Sequence, residues 1–179
     1  VVIGHDCRFA GSLFMETAAK VLVSQGIKVY QADCIITTPM ISLAAKELNT
    51  AIGIVLTASH NPPSYNGFKL KGHYGGPLTS DKISEVEVLI PSKNNLDLGE
   101  VNLSEMEENG LLEHVDLETI YINKIKSSFD LDAIKNSGLH FAYDAMYGAG
   151  QFVMKKIFPD MSFLHCEYNP SFNGQAPEP

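Results

Sequence analysis

The run Thr57-Ala58-Ser59-His60-Asn61-Pro62-Pro63, followed by Asn66-Gly67-Phe68-Lys69, holds the residue types from which a covalent catalyst is made. It sets a hydroxyl at Ser59, an imidazole beside it at His60, and an ammonium ten residues on at Lys69. A serine hydroxyl is a poor nucleophile at neutral pH, so it needs a neighbouring base or an already activated phosphoryl group. Once phosphorylated it carries about −1.5 to −2 charges, which call for nearby cations or a metal. Lys69 and Arg8 are the local cations, and Arg8 leaves a different strand end from which it can meet the same cleft. It has a second reading, as the partner of Asp6 across a turn. His60 is placed to orient the serine oxygen or share its proton.

Such a site needs a rigid mount. Ala51-Ile52-Gly53-Ile54-Val55-Leu56 is short, β-branched and bounded by turn signals, so it reads as a buried strand. A serine leaving the carboxyl end of such a strand lies where open α/β sheets place their ligands. The Pro-Pro pair and the Asn-Gly turn stiffen the loop that follows. Around it strands and helices alternate. Val1–Ile3 starts a strand, and Ser12 caps a helix to Gln25 with Phe14, Ala18, Val21 and Leu22 on one face. Ile27–Gln31 is a strand, and Thr38 with Pro39 begins a helix to Leu48. A strand follows at Phe68–Lys71, then a helix at Thr79–Ile90 with Ile83, Val86 and Leu89 or Ile90 inward. Residues 91–110 look loop-rich, a helix near 116–128 leads out of the domain, and a new strand begins at Leu139–Tyr143. A helix at about 150–158 and a strand near 162–166 close the pattern. The expected fold is a layered α/β/α domain with a mainly parallel, mixed sheet at residues 1–128, plus the opening strand-helix-strand of a second, similar domain at 129–179.

Charge is unevenly distributed. Residues 1–80 carry a net +2, residues 81–120 a net −9 and residues 121–179 a net −1, giving −8 for the chain. The reactive loop is thus locally positive within an acidic protein, which suits an anionic substrate. The acidic stretch reads as a solvated surface. Without a basic patch or interleaved aromatics, the chain is a poor nucleic-acid binder. No apolar run approaches the roughly 20 residues of a membrane span. Cys7, Cys34 and Cys166 are scattered, without a C-x-x-C pair, and read as free thiols in a reducing cytoplasm.

These motifs resemble those of the α-D-phosphohexomutases, the family of phosphoglucomutase and phosphomannomutase. Thr57–Lys69 is similar to that family's phosphoserine loop, and Gly4-His5-Asp6-Cys7-Arg8 to its first-strand Gly-x-Asp-x-Arg motif. Thr37-Thr38-Pro39 resembles its Thr-Pro helix start. Asp144-Ala145-Met146-Tyr147-Gly148-Ala149-Gly150 resembles the opening of its second domain, with Pro177-Glu178-Pro179 downstream. The resemblance implies a resting phosphoserine at Ser59 that donates to a hexose phosphate, glucose or mannose phosphate foremost, through a 1,6-bisphosphate that turns over in the cleft. It implies Lys69 as general acid/base, His60 and Arg8 supporting the site, and Arg8, Lys69 and Asn66 on the substrate. It further implies Mg²⁺ held by a phosphate oxygen on Ser59 together with aspartates of an Asp-Gly-Asp-x-Asp-Arg loop, and glucose 1,6-bisphosphate or the matching hexose bisphosphate as activator.

That aspartate loop does not occur in this sequence. The expectation is therefore a fragment with negligible mutase activity by itself and an active parent protein. Two other classes compete. A non-catalytic homologue would keep the fold and bind sugar phosphate while losing the serine or the metal loop. A serine hydrolase would want a Gly-x-Ser-x-Gly elbow, and Ala58-Ser59-His60 lacks both glycines. The remaining histidines show no metal-ligand spacing, and Gly148 and Gly150 read as a tight strand-to-helix turn.

Overall fold

The computed structural model describes residues 1–177; Glu178 and Pro179, the end of the Pro-Glu-Pro run, lie outside the described residues. In chain order the elements are β1 (Val2–His5), α1 (Gly11–Ser24), β2 (Val29–Ala32), α2 (Thr38–Glu47), β3 (Ile52–Leu56), β4 (Phe68–Gly72), α3 (Ser80–Glu87), α4 (Leu103–Glu108), β5 (Leu112–Val115), α5 (Leu117–Ser128), α6 (Leu131–Lys135), β6 (Ala142–Asp144), α7 (Gln151–Ile157) and β7 (Ser162–Leu164). Single 3₁₀ turns occur at Leu98–Glu100 and Phe172–Gly174.

Five strands form one sheet in the order β4-β3-β1-β2-β5. All its pairings are parallel except β3 with β4. The first pair is in register with Val2 opposite Gly53 and Val2 opposite Tyr30, so β1 is the central strand and is apolar on both faces. Ile3, Ile54, Leu56, Val29 and Leu112 pack beneath α1, through Met15, Ala19 and Val23. On the opposite face Val2, Val55 and Ala32 meet Met40, Ile41, Ala44 and Ala45 of α2 and Leu117 and Ile122 of α5. This is an α/β/α layering with a mainly parallel, mixed sheet. A separate two-stranded parallel sheet of β6 and β7 starts a second unit. Its helix α7 joins the first through Val153 and Ile157, which belong to the α2–α5 core. Among the described residues no helix is long and apolar enough to cross a membrane.

Several expectations shift for identifiable reasons. Helix α1 is capped by Ala10 in a left-handed conformation (φ 59°), not by Ser12. The chain turns between Arg8 and Gly11, whose amide donates to the Arg8 carbonyl at 3.2 Å, and a Cβ on Gly11 would lie 2.6 Å from the His5 ring. The buried stripe of α1 is Met15-Ala19-Val23, while Phe14 turns outward beside Tyr65 and Asn66. Strand β2 lies later than Ile27–Gln31, because pairing with both β1 and β5 fixes its register at Val29–Ala32. Helix α3 is shorter than Thr79–Ile90 and buries nothing; Val86, Leu89 and Ile90 are exposed because α3 follows an edge strand with no layer over it. The 91–110 stretch contains α4, and β5 follows it without a strand signal of its own, since Leu112-Glu113-His114-Val115 carries only two apolar residues. Strand β6 is confined to Ala142–Asp144 by its pairing with β7.

Candidate active site

The loop bearing Ser59 leaves β3 at the carboxyl end of the parallel strands and returns as β4, so its two ends are clamped side by side by the Leu56–Phe68 pair. Just outside that pair the Thr57 amide donates to the Gly67 carbonyl at 3.0 Å. A Cβ on Gly67 would come within 2.7 Å of the Thr57 carbonyl, so only glycine allows this closure. Asn66 completes it: its amide nitrogen donates to the Phe9 carbonyl at 3.2 Å, and its Oδ1 accepts from the Gly67 amide at 2.9 Å.

Ser59 is exposed and sits at φ 57°. A non-glycine residue there costs of order 1–3 kcal/mol and persists only where its surroundings enforce it. Two groups do so. The first is a relay: Thr57 Oγ1 donates to Asp6 Oδ2 at 2.6 Å and accepts from the Ser59 amide at 3.1 Å. Asp6 is itself held, since its amide donates to the Leu56 carbonyl at 3.1 Å and its Oδ1 accepts from the Arg8 amide at 2.9 Å.

The second is Arg8, buried to 1% exposure. Its two terminal nitrogens donate to four loop carbonyls: Ser59 at 2.9 Å, Asn61 at 2.6 Å, Pro62 at 2.8 Å and Tyr65 at 3.1 Å. Nε lies 3.4 Å from Asp6 Oδ2 but too poorly aligned to make a hydrogen bond. The expected Asp6–Arg8 pairing is therefore mainly one of charge. Every terminal N–H bond of the Arg8 fork is made to the loop's own backbone. Asn66 is likewise engaged within the loop.

His60 is exposed, with Nδ1 3.2 Å from Ser59 Oγ, within reach of a shared proton. Lys69 is the second residue of β4, at the same end of the sheet, opposite Val55. Opposed residues share a face, so Lys69 and Lys71 both stand on the α2 side. Partial burial, and then the charge of Lys69, lower the pKa of Lys71 below its ordinary value. Lys71 carries no distinguishing sequence signal, and the sequence gives no sign that Asp6 and Thr57 are joined, since the two lie on different strand ends.

Among the described residues no group of three or more His, Cys, Asp and Glu side chains is arranged to hold a metal. A phosphoryl oxygen on Ser59 would supply one donor to a magnesium ion, and Asp6, engaged by Thr57 and the Arg8 amide, faces inward.

Comparison with known proteins places these features in a group. Residues 1–97 match the family model described as phosphoglucomutase/phosphomannomutase, alpha/beta/alpha domain I, and residues 119–179 match the corresponding domain II. The second match begins within α5. A phosphoglucomutase of Staphylococcus haemolyticus is 35% identical over 97% of this chain, which covers 33% of that protein. A phosphoglucomutase/phosphomannomutase of Thermococcus kodakarensis is 31% identical over 99% of the chain and 37% of its own length. A solved structure of a Thermus thermophilus protein, provisionally assigned as a phosphomannomutase, superposes with a TM-score of 0.86 at 32% identity, covering 99% of this chain and 40% of that one. The chain thus spans about a third of the length of the curated relatives it matches.

Proposed function

Because the chain belongs to the phosphoglucomutase/phosphomannomutase family, we propose that its parent protein is a phosphohexomutase working through a phosphoserine at Ser59. The substrate pair is a hexose 1-phosphate and its 6-phosphate, with glucose and mannose phosphates the leading candidates. The observation that carries this is the mounting of Ser59: an exposed hydroxyl at the carboxyl end of β3, in a left-handed conformation secured by Arg8 and by the Asp6–Thr57 relay.

In the transfer step the Oγ–P bond of phosphoserine breaks as a sugar hydroxyl oxygen forms its own bond to phosphorus. The hydroxyl proton passes by way of a local acid/base, Lys69 or His60, to Ser59 Oγ. The reverse transfer, from the other end of the 1,6-bisphosphate, restores the phosphoserine. A fixed donor position is what this chemistry demands most, because phosphoryl transfer is accelerated chiefly by alignment and charge neutralisation. Arg8 and Asn66 serve by holding the loop. Magnesium, bound in part through a phosphoserine oxygen, would neutralise phosphoryl charge. A hexose 1,6-bisphosphate activator and a cytoplasmic location belong to the same proposal.

The test is intact-mass spectrometry with peptide mapping of the parent protein before and after glucose 1,6-bisphosphate. One phosphoryl group on Ser59, absent in Ser59→Ala, supports the reading. No phosphate on Ser59 under either condition overturns it in favour of a non-catalytic sugar-phosphate binder.

A further inference from the structure

The guanidinium of Arg8 has two sides. One edge meets the serine loop; the plane is covered by the ring of Phe172, whose centroid is 5.1 Å from Cζ. Phe172 belongs to the second unit, 113 positions after Ser59 in the sequence. It is 5% exposed and packs with Cys7 and Ile35, flanked by Tyr147 and Ala149.

Its backbone is the notable part. Phe172 has φ 48° and Asn173 φ 54°, followed by Gly174 at 76°, a left-handed run in which a bulky aromatic is a genuine outlier. The turn that holds it is built for the purpose. Asn169 Oδ1 accepts from both the amide and the hydroxyl of Ser171, at 3.1 Å and 2.7 Å, and the Asn169 carbonyl accepts from the Phe172 amide at 3.0 Å. A strained aromatic held by a rigid turn, aimed at a buried cation, is explained by what the ring does there. A second contact from the same unit lands on the adjacent residue: Gln151, fully buried, points its amide nitrogen at Cys7 Sγ, 3.5 Å away.

We propose that Phe172 is a positioning residue for the serine loop, acting through Arg8. The ring keeps water from the guanidinium plane and adds a cation–π contact, so the four bonds to the loop carbonyls form in a dry setting where they are stronger. The second unit thereby sets the order of the Ser59 loop through Arg8. This rests on the reading of Ser59 as phosphoryl donor for its catalytic consequence, but not for its structural one.

The experiment uses the full parent protein with Phe172→Leu, Arg8→Lys and the double variant. Leucine keeps apolar volume against Cys7 and Ile35 while removing the π face. Amide hydrogen exchange across residues 57–67 is expected to rise about 30-fold in Phe172→Leu, the size of one desolvated cation–π contact. Exchange in the central strands should stay at the wild-type rate. Turnover should fall by a similar factor with KM within about twofold, since the donor's alignment is lost and substrate binding is not. In the double variant the loop exchange should match Arg8→Lys alone. Unchanged loop exchange in Phe172→Leu, or additive effects in the double variant, would overturn the proposal. If Phe172→Leu does not fold, Phe172→Tyr decides: it keeps the ring over Arg8, so loop exchange should stay near wild type, and a rise sinks the idea. Absence of phosphate on wild-type Ser59 refutes the mutase reading alone, because loop exchange still decides the role of Phe172.

Discussion

Asp6 and Thr57, 51 positions apart, are joined by a 2.6 Å hydrogen bond in which the Thr57 hydroxyl donates to Asp6 Oδ2. The same hydroxyl accepts from the Ser59 amide at 3.1 Å, so a carboxylate on the first strand's exit sets the backbone of Ser59 beyond the third. Thr57→Val removes both bonds from a buried position. Urea unfolding should show a loss of about 1–3 kcal/mol, the cost of leaving a buried donor and acceptor unpaired. Thr57→Ser should recover most of it, and phosphate uptake on Ser59 should follow the same order.

The left-handed backbone at Ser59 makes its two smallest replacements distinguishable. Ser59→Ala and Ser59→Gly should both abolish phosphate incorporation. Thermal melts should nevertheless rank glycine above alanine by about 1 kcal/mol, because a Cβ is disfavoured at positive φ. Equal stability would mean that the loop relaxes out of that conformation.

Arg8→Met retains much of the buried volume and deletes the fork. Four carbonyls then lose their donors, and the expected destabilisation is at least about 3 kcal/mol, several unmet bonds of about 1 kcal/mol or more each. Limited proteolysis should cut first between residues 57 and 67. Cleavage elsewhere at the wild-type rate, with this loop still protected, would refute the anchoring role.

Lys69 and Lys71 stand on one face of β4, and substitution separates them. In the parent protein Lys69→Met should lower turnover by about 10²–10⁴, the range for a general acid/base. Lys71→Met should stay within a few-fold. A reversed pattern would transfer the proton-handling role to Lys71.

Burial, reinforced by the charge of Asp6, pushes the Cys7 thiol up to about 12 despite the opposing contact from Gln151. The folded protein then holds its proton where the unfolded chain, near 9.0, releases it. Stability should fall as pH climbs from about 9 toward 12, with Cys7→Ala flattening that slope. At pH 8 native Cys7 should resist iodoacetamide.

The serine loop was legible because all its chemistry lies within Thr57–Lys69, where residue type, turn residues and strand signal are local. The same holds for β3 and for the Thr-Pro start of α2, which local propensity alone specifies. Locality also explains the failures. Strand β5 exists because β2 has a free edge to pair, which four residues with two apolar side chains cannot announce. Helix α3 carries apolar residues in helical spacing, yet none is buried, since burial depends on a covering layer.

The sequence by itself therefore determined the α/β alternation and the placing of Ser59 and its immediate neighbours on a loop after β3, for these follow from short-range sterics and hydrogen bonding. Only the tertiary structure decided what each distant side chain is for. Arg8 reads in the sequence first as a substrate cation and second as a partner of Asp6, and becomes a brace for four carbonyls because β1 and β3 are adjacent in the sheet. Phe172 sits in a turn-rich stretch with no periodicity, and only the packing of the second unit onto the first brings its ring over that brace.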